Sequence, residues 1–124
     1  MNAKEFIENY YMHDSWIENV EVLDGGTKLL FTVGFAFWMQ EGYKESDPET
    51  GIINVIFDGV KKYEAPENIV WENYGILDTF LTETDGVKFA MGSDIFDDPL
   101  PYFEAIVEAE DITVTVPENP ETEE

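Results

Sequence analysis

The chain has 124 residues, no cysteine, and 6 basic against 28 acidic residues, for a formal net charge of −22 at pH 7. Recognition of DNA, RNA or an anionic membrane surface is excluded on that balance, because each needs Lys and Arg to neutralise phosphates, and disulfides, thiolate metal sites and a cysteine nucleophile are excluded outright. A hydrophobic share of 44% with 15% aromatics nevertheless describes a chain with a core to bury, and the length fits one domain.

Asn2 followed three residues later by Glu5 has the form of a capping box, and Phe6, Ile7, Tyr10 and Tyr11 recur at helical spacing through about Met12. A short amphipathic helix therefore opens the chain. His13-Asp14-Ser15 breaks it, since Asp and Ser side chains bond nearby backbone in turns. Trp16 to Leu23 reads as the first strand, with Trp16, Val20 and Val22 in phase, and Asp24-Gly25-Gly26-Thr27 is a hairpin signal.

The clearest pattern follows. From Lys28 to Gln40 the residues Leu29, Phe31, Val33, Phe35, Phe37 and Met39 fall on one side of an extended strand. The other side carries Leu30, Ala36 and Trp38, too apolar to face water, and the N-terminal helix is expected to cover it. Glu41 to Thr50 has loop composition. Gly51 to Phe57 is a strand, which a bulge at Asp58-Gly59 carries on to Tyr63. Ile69-Val70-Trp71 is either a short strand or a lid over the core. Gly75 to Glu83 and Val87 to Gly92 flank Thr84-Asp85-Gly86, a second hairpin signal. Asp94 to Pro101 is a loop, Tyr102 to Val116 supplies the last strand or pair of strands, and residues 117–124 form an acidic tail expected to be disordered. The fold class is mainly β, α+β at the margin: a strongly bent antiparallel sheet or small sandwich of about six strands with one N-terminal helix, over residues 1–116.

Chemistry-bearing patterns are sparse. His13 is the single histidine, and three consecutive residues cannot place Asp14 and Ser15 on opposite nitrogens of one imidazole, so His13-Asp14-Ser15 is a turn rather than a triad. No phosphate-cradling glycine loop, nucleophile elbow or kinase-like lysine motif occurs, and binding rather than catalysis is expected. Asp94, Asp97 and Asp98, with Glu104, are the best local carboxylate set for a hard cation such as calcium, though they lack EF-hand spacing. Trp38, Trp71 and Tyr102 are the aromatic candidates for a binding surface, with His13 and Asp14 beside them as polar ones.

Through His13-Asp14-Ser15, the alternating Leu29 to Met39 strand and Ile53-Asn54-Val55-Ile56-Phe57-Asp58-Gly59-Val60, the stretch from Met12 to Tyr63 resembles small bacterial proteins of unknown function. Some of these are predicted immunity proteins of polymorphic toxin systems. The resemblance implies a mostly β single domain that works by binding. The charge agrees, since a basic protein is its electrostatic complement. The alternative is a small-ligand or weak calcium-binding domain built on the Asp94–Glu104 loop, Trp71 and Tyr102, hydrolytic if those carboxylates act on what is bound. No cofactor is implied. The start of the chain lacks a basic segment followed by an apolar run, so a cytoplasmic address is expected.

Overall fold

The structure, a computed structural model, describes residues 1–116. One short helix, α1 (Ala3–Asn9), precedes six strands: β1 (Trp16–Leu23), β2 (Lys28–Ala36), β3 (Thr50–Glu64), β4 (Tyr74–Leu81), β5 (Val87–Ser93) and β6 (Tyr102–Thr115). All pairings are antiparallel, and they close into a barrel in the order β1-β2-β3-β6-β5-β4. The mainly β expectation holds, and of the two architectures considered it is the bent sheet, carried to full closure. No helix among the described residues is long and apolar enough to cross a membrane. The expected tail lies outside the described residues.

Alternation builds the interior. Leu29, Phe31, Val33 and Phe35 of β2 face Phe57, Val55, Ile53 and Gly51 of β3 in register, and all of these but Gly51 are buried. Phe31 sits at the centre, its ring centroid 5.0 Å from that of Phe57 and 5.5 Å from that of Phe89. A barrel this narrow is filled by its own side chains, so its middle is a core and not a ligand cavity.

Four sequence expectations meet their answer here. The long strand ends at Ala36, and Phe37–Met39 form a 3-10 turn. The cause is Gly51 on the neighbouring strand: it has no side chain, and the Phe37 ring folds over its Cα and packs edge-on against Phe35 at 5.3 Å. Trp16 is out of phase with Val20 and Val22, because a bulge at Glu18 shifts the β1–β2 register between Ile17 and Asn19. Trp16 therefore points outward, opposite Gly34, while Val20 and Val22 lie opposite inward-facing Phe31 and Leu29. The helix does not cover the outer face of β2. The capping box forms as expected, but α1 drives Phe6 into the interior, against Phe57 at 6.4 Å and Phe89 at 6.3 Å. At Gly34 the outer face is covered instead by the Trp16 indole, which occupies the space a Cβ would need there, while Trp38 is exposed.

Elsewhere the reading stands. β3 runs on through Gly59, at φ 65°, and shifts register at Lys61. Ile69-Val70-Trp71 is a lid: Trp71 opens a 3-10 turn and packs on Phe31 at 6.2 Å and Phe103 at 5.4 Å. Tyr102 to Thr115 is one strand.

Candidate functional site: a glycine-floored groove at the barrel seam

The barrel closes between β1 and β4, and there the strand ladder has one rung, Trp16 opposite Gly75. The His13-Asp14-Ser15 turn completes the joint. Asp14 adopts φ 65°, a left-handed conformation that Asp tolerates better than most residues. That kink turns the chain so that the Asp14 amide donates to the Ile76 carbonyl at 3.2 Å and the Ser15 carbonyl accepts from Ile76 N–H at 2.7 Å. His13 Nδ1 lies 2.7 Å from the Leu77 carbonyl, which makes Nδ1 the protonated nitrogen. Ser15 is fully buried, and its Oγ accepts the Ala36 amide of β2 at 2.9 Å. Three residues thus pin three strands. The turn is a clasp, and no member of it is placed as a nucleophile or its base.

Outside this clasp the register lays five residues in a row across the outer surface: Gly34 of β2, Trp16 of β1, Gly75 of β4, Gly92 of β5 and Tyr102 of β6. Three of the five are glycines. Trp16 leans over the first, and its Nε1 donates to Glu18 Oε2 at 3.2 Å. The other two line a groove of about 430 Å³ whose walls include Asp14, Trp16, Glu72, Leu77 and Asp94. A site of this size is within the range that holds a small molecule or a side chain. Gly92 is crowded by the Leu77 side chain, whereas a Cβ on Gly75 would meet only the Ser15 carbonyl, 4.0 Å away. Three carboxylates border the groove and no lysine does.

The candidate residues read from sequence are scattered over the molecule. Asp14 lines the groove; His13 precedes it in the turn, stacked on Tyr11 at 5.9 Å and with its Nε2 3.5 Å from Asp14 Oδ1. Asp94 is on the rim, while Asp97 turns the loop at φ 60°. Asp98 is committed within the loop: its carboxylate accepts Ser93 Oγ at 2.7 Å and the Leu100 amide at 2.9 Å. Among the described residues no three His, Asp or Glu side chains converge as a metal-holding group. Tyr102 ends the glycine row, with its hydroxyl donating to Glu104 at 2.8 Å. Trp71 belongs to the core lid. Trp38 is exposed on the far side of β2 beside Tyr43, Glu45 and Glu49. A second, more apolar groove of about 460 Å³ runs between the Phe37–Thr50 segment and β3, lined by Phe37, Tyr43, Pro48, Ile52 and Val116.

Sequence reasoning missed Trp16, Glu72, Gly75 and Gly92 as groove residues. The two glycines carried a readable signal, since a lone glycine within a strand marks a bulge or a close approach by something else. What no local pattern holds is their register with one another. Comparison with protein-family models, with curated proteins and with solved structures finds no match for the chain.

Proposed function

We propose that the protein is a non-catalytic acidic binding protein that covers a basic protein partner, in the manner of an immunity protein neutralising a toxin. The observation that carries this reading is the seam groove, a formed concavity whose rim holds Asp14, Glu72 and Asp94 and no lysine, on a chain of net charge −22. The distribution of lysines supports it. Three of the six lysines, Lys28, Lys62 and Lys88, are each within 3.7 Å of an acidic side chain, Asp58, Glu64 and Glu104 respectively, and so are offset locally. A field of that sign draws in a cationic surface and repels anionic competitors. The non-catalytic part of the reading is supported by the only histidine and its neighbouring serine, both of which spend their hydrogen bonds on holding the barrel shut.

The test is co-expression with the product of the adjacent gene. Protection of the host from a basic toxin is expected, along with binding in vitro that weakens steeply as salt rises. No protection, together with no salt-sensitive binding to that product, removes the reading.

A further inference from the structure

We infer that the leading end of β3 is a docking edge for an extended, basic segment of the partner, which adds its backbone to Thr50 and Ile52. This rests on the basic-partner reading and gives it a contact away from the seam. β3 is paired on both sides over most of its length, but not at its start. β2 reaches back to Thr50, whereas β6 meets β3 only from Asn54, opposite Thr115. The Ala36 amide donates to Ser15 Oγ and its carbonyl accepts from Gln40 Nε2, so the Ala36–Thr50 pair is one that exchanges no ladder hydrogen bonds. Thr50 therefore turns its N–H and C=O away from β2, and alternation makes Ile52 do the same. Among the described residues no backbone hydrogen bond reaches either residue on that side. Both residues are exposed, so two donors and two acceptors face outward in a row at strand spacing. Such an edge is what an added strand pairs with, and Thr50-Gly51-Ile52-Ile53 carries none of the charges or prolines that blunt one.

The surroundings decide what kind of strand fits. The apolar groove of about 460 Å³ lies along this edge, with Phe37, Pro48, Ile52 and Val116 as its apolar wall and Glu41 and Asp47 on its border. The segment from Glu41 to Glu49 carries four acids, Glu41, Glu45, Asp47 and Glu49, against Lys44 alone. The open backbone thus specifies an extended chain, the wall specifies apolar side chains, and the border specifies cationic ones. The protein's own continuation is a poor occupant. The sequence after Val116 opens with Pro117, which has no N–H for a ladder, and brings four further glutamates. A second copy would bring a further −22 to the contact.

The experiment titrates the isotope-labelled full chain with the peptide acetyl-Lys-Val-Lys-Val-Lys-amide and follows amide shifts and hydrogen exchange. In the free chain the Thr50 and Ile52 amides should exchange fast; the peptide should shift both and slow their exchange. Binding should weaken with serine for valine, and should be missing with glutamate for lysine or with every peptide nitrogen methylated. Ile52→Lys puts a charge on the edge at an exposed position and should weaken binding about tenfold or more. Glu41→Gln with Asp47→Asn leaves the edge open and should weaken binding through charge alone. Slow exchange of both amides in the free chain means that residues 117–124 or a second copy already hold the edge, and overturns the assignment. Equal binding of the methylated peptide, or undiminished binding by both variants, overturns it too. The basic-partner reading has its own readout in the protection assay: protection retained in full by Ile52→Lys sinks the docking edge and leaves that reading standing, whereas failure of the parent chain to protect sinks that reading.

Discussion

Asp98 holds the 94–101 loop to the end of β5 through two hydrogen bonds, one from the Ser93 hydroxyl and one from the Leu100 amide. Those donors, the hydroxyl first and the amide second, keep its carboxyl below the usual carboxylate range. Nearby, burial and then the Asp98 charge push the Tyr74 hydroxyl up, and that hydroxyl donates to the Leu100 carbonyl at 2.6 Å. The sign of the pH dependence follows from the lowered carboxyl. A group whose folded pKa lies below its unfolded value contributes stability that is complete above the unfolded value and is lost as pH falls through the folded one. Asp98→Asn should therefore lower the melting temperature at neutral pH and converge with the parent in acid. Comparing two chains at each pH removes the separate effect of protonating all the other carboxylates. A difference that persists unchanged at low pH would show that the Asp98 charge does not staple the loop. The acids of this loop were visible in sequence as a cluster, but their partner Ser93 belongs to a strand, and that made a stapled loop look like an open set of ligands.

At the scale of elements, the N-terminal helix depends on the barrel it packs against. It has seven residues, too few to persist alone, so its stability comes from what it buries. Phe6 is fully buried among Phe57, Phe89 and Tyr10. Truncating it to Ala should cost about 3–5 kcal/mol, a large part of the roughly 5–15 kcal/mol that holds a domain together. A fall in the urea midpoint measures this, and a loss below about 1 kcal/mol would mean that the helix does not carry the core as described. Asn2 and Glu5 announced where this helix begins, and the Asp-Gly-Gly and Asp-Gly turns announced two hairpins. The end of β2 was not readable, because Phe37 and Met39 continue the alternation and the reason for stopping, Gly51, lies on another strand. The Glu18 bulge was equally hidden: a polar residue between apolar ones is what an ordinary strand shows, and one extra residue there exchanges inside for outside at Trp16. That single exchange moved Trp16 from the core to the groove wall and laid its indole over Gly34.

For the whole molecule, a formal net charge of −22 makes the acids repel one another more when the chain is folded than when it is expanded. Raising salt from about 0.01 M to 1 M shortens the screening length from about 30 Å to about 3 Å. The melting temperature should climb steadily across that range. A flat or falling curve in sodium chloride would show that the folded chain places its carboxylates so as to avoid the repulsion. Salt should thus steady the fold while weakening the proposed binding of a basic partner. The sheet's composition was legible from alternation and turns, but its closure was not. Whether six strands make an open bend or a barrel depends on the joint between residues 13–16 and 75–77, about 60 positions apart, and no local pattern pairs those two stretches.

That one-rung joint also bears on how the barrel is assembled and how it yields. Every other junction around the circumference is a ladder of at least six rungs, which can zip up from an end. The seam has no length to zip. It brings together residues far apart in the chain for little pairing, so it is expected to form after the longer ladders and to part before them, an order that hydrogen exchange of the Ile76 amide checks. The hoop has a buckle, and the groove lies across it. Its walls come from both halves of the buckle, Asp14 and Trp16 from one and Glu72 and Leu77 from the other, so whatever widens the seam also widens the groove.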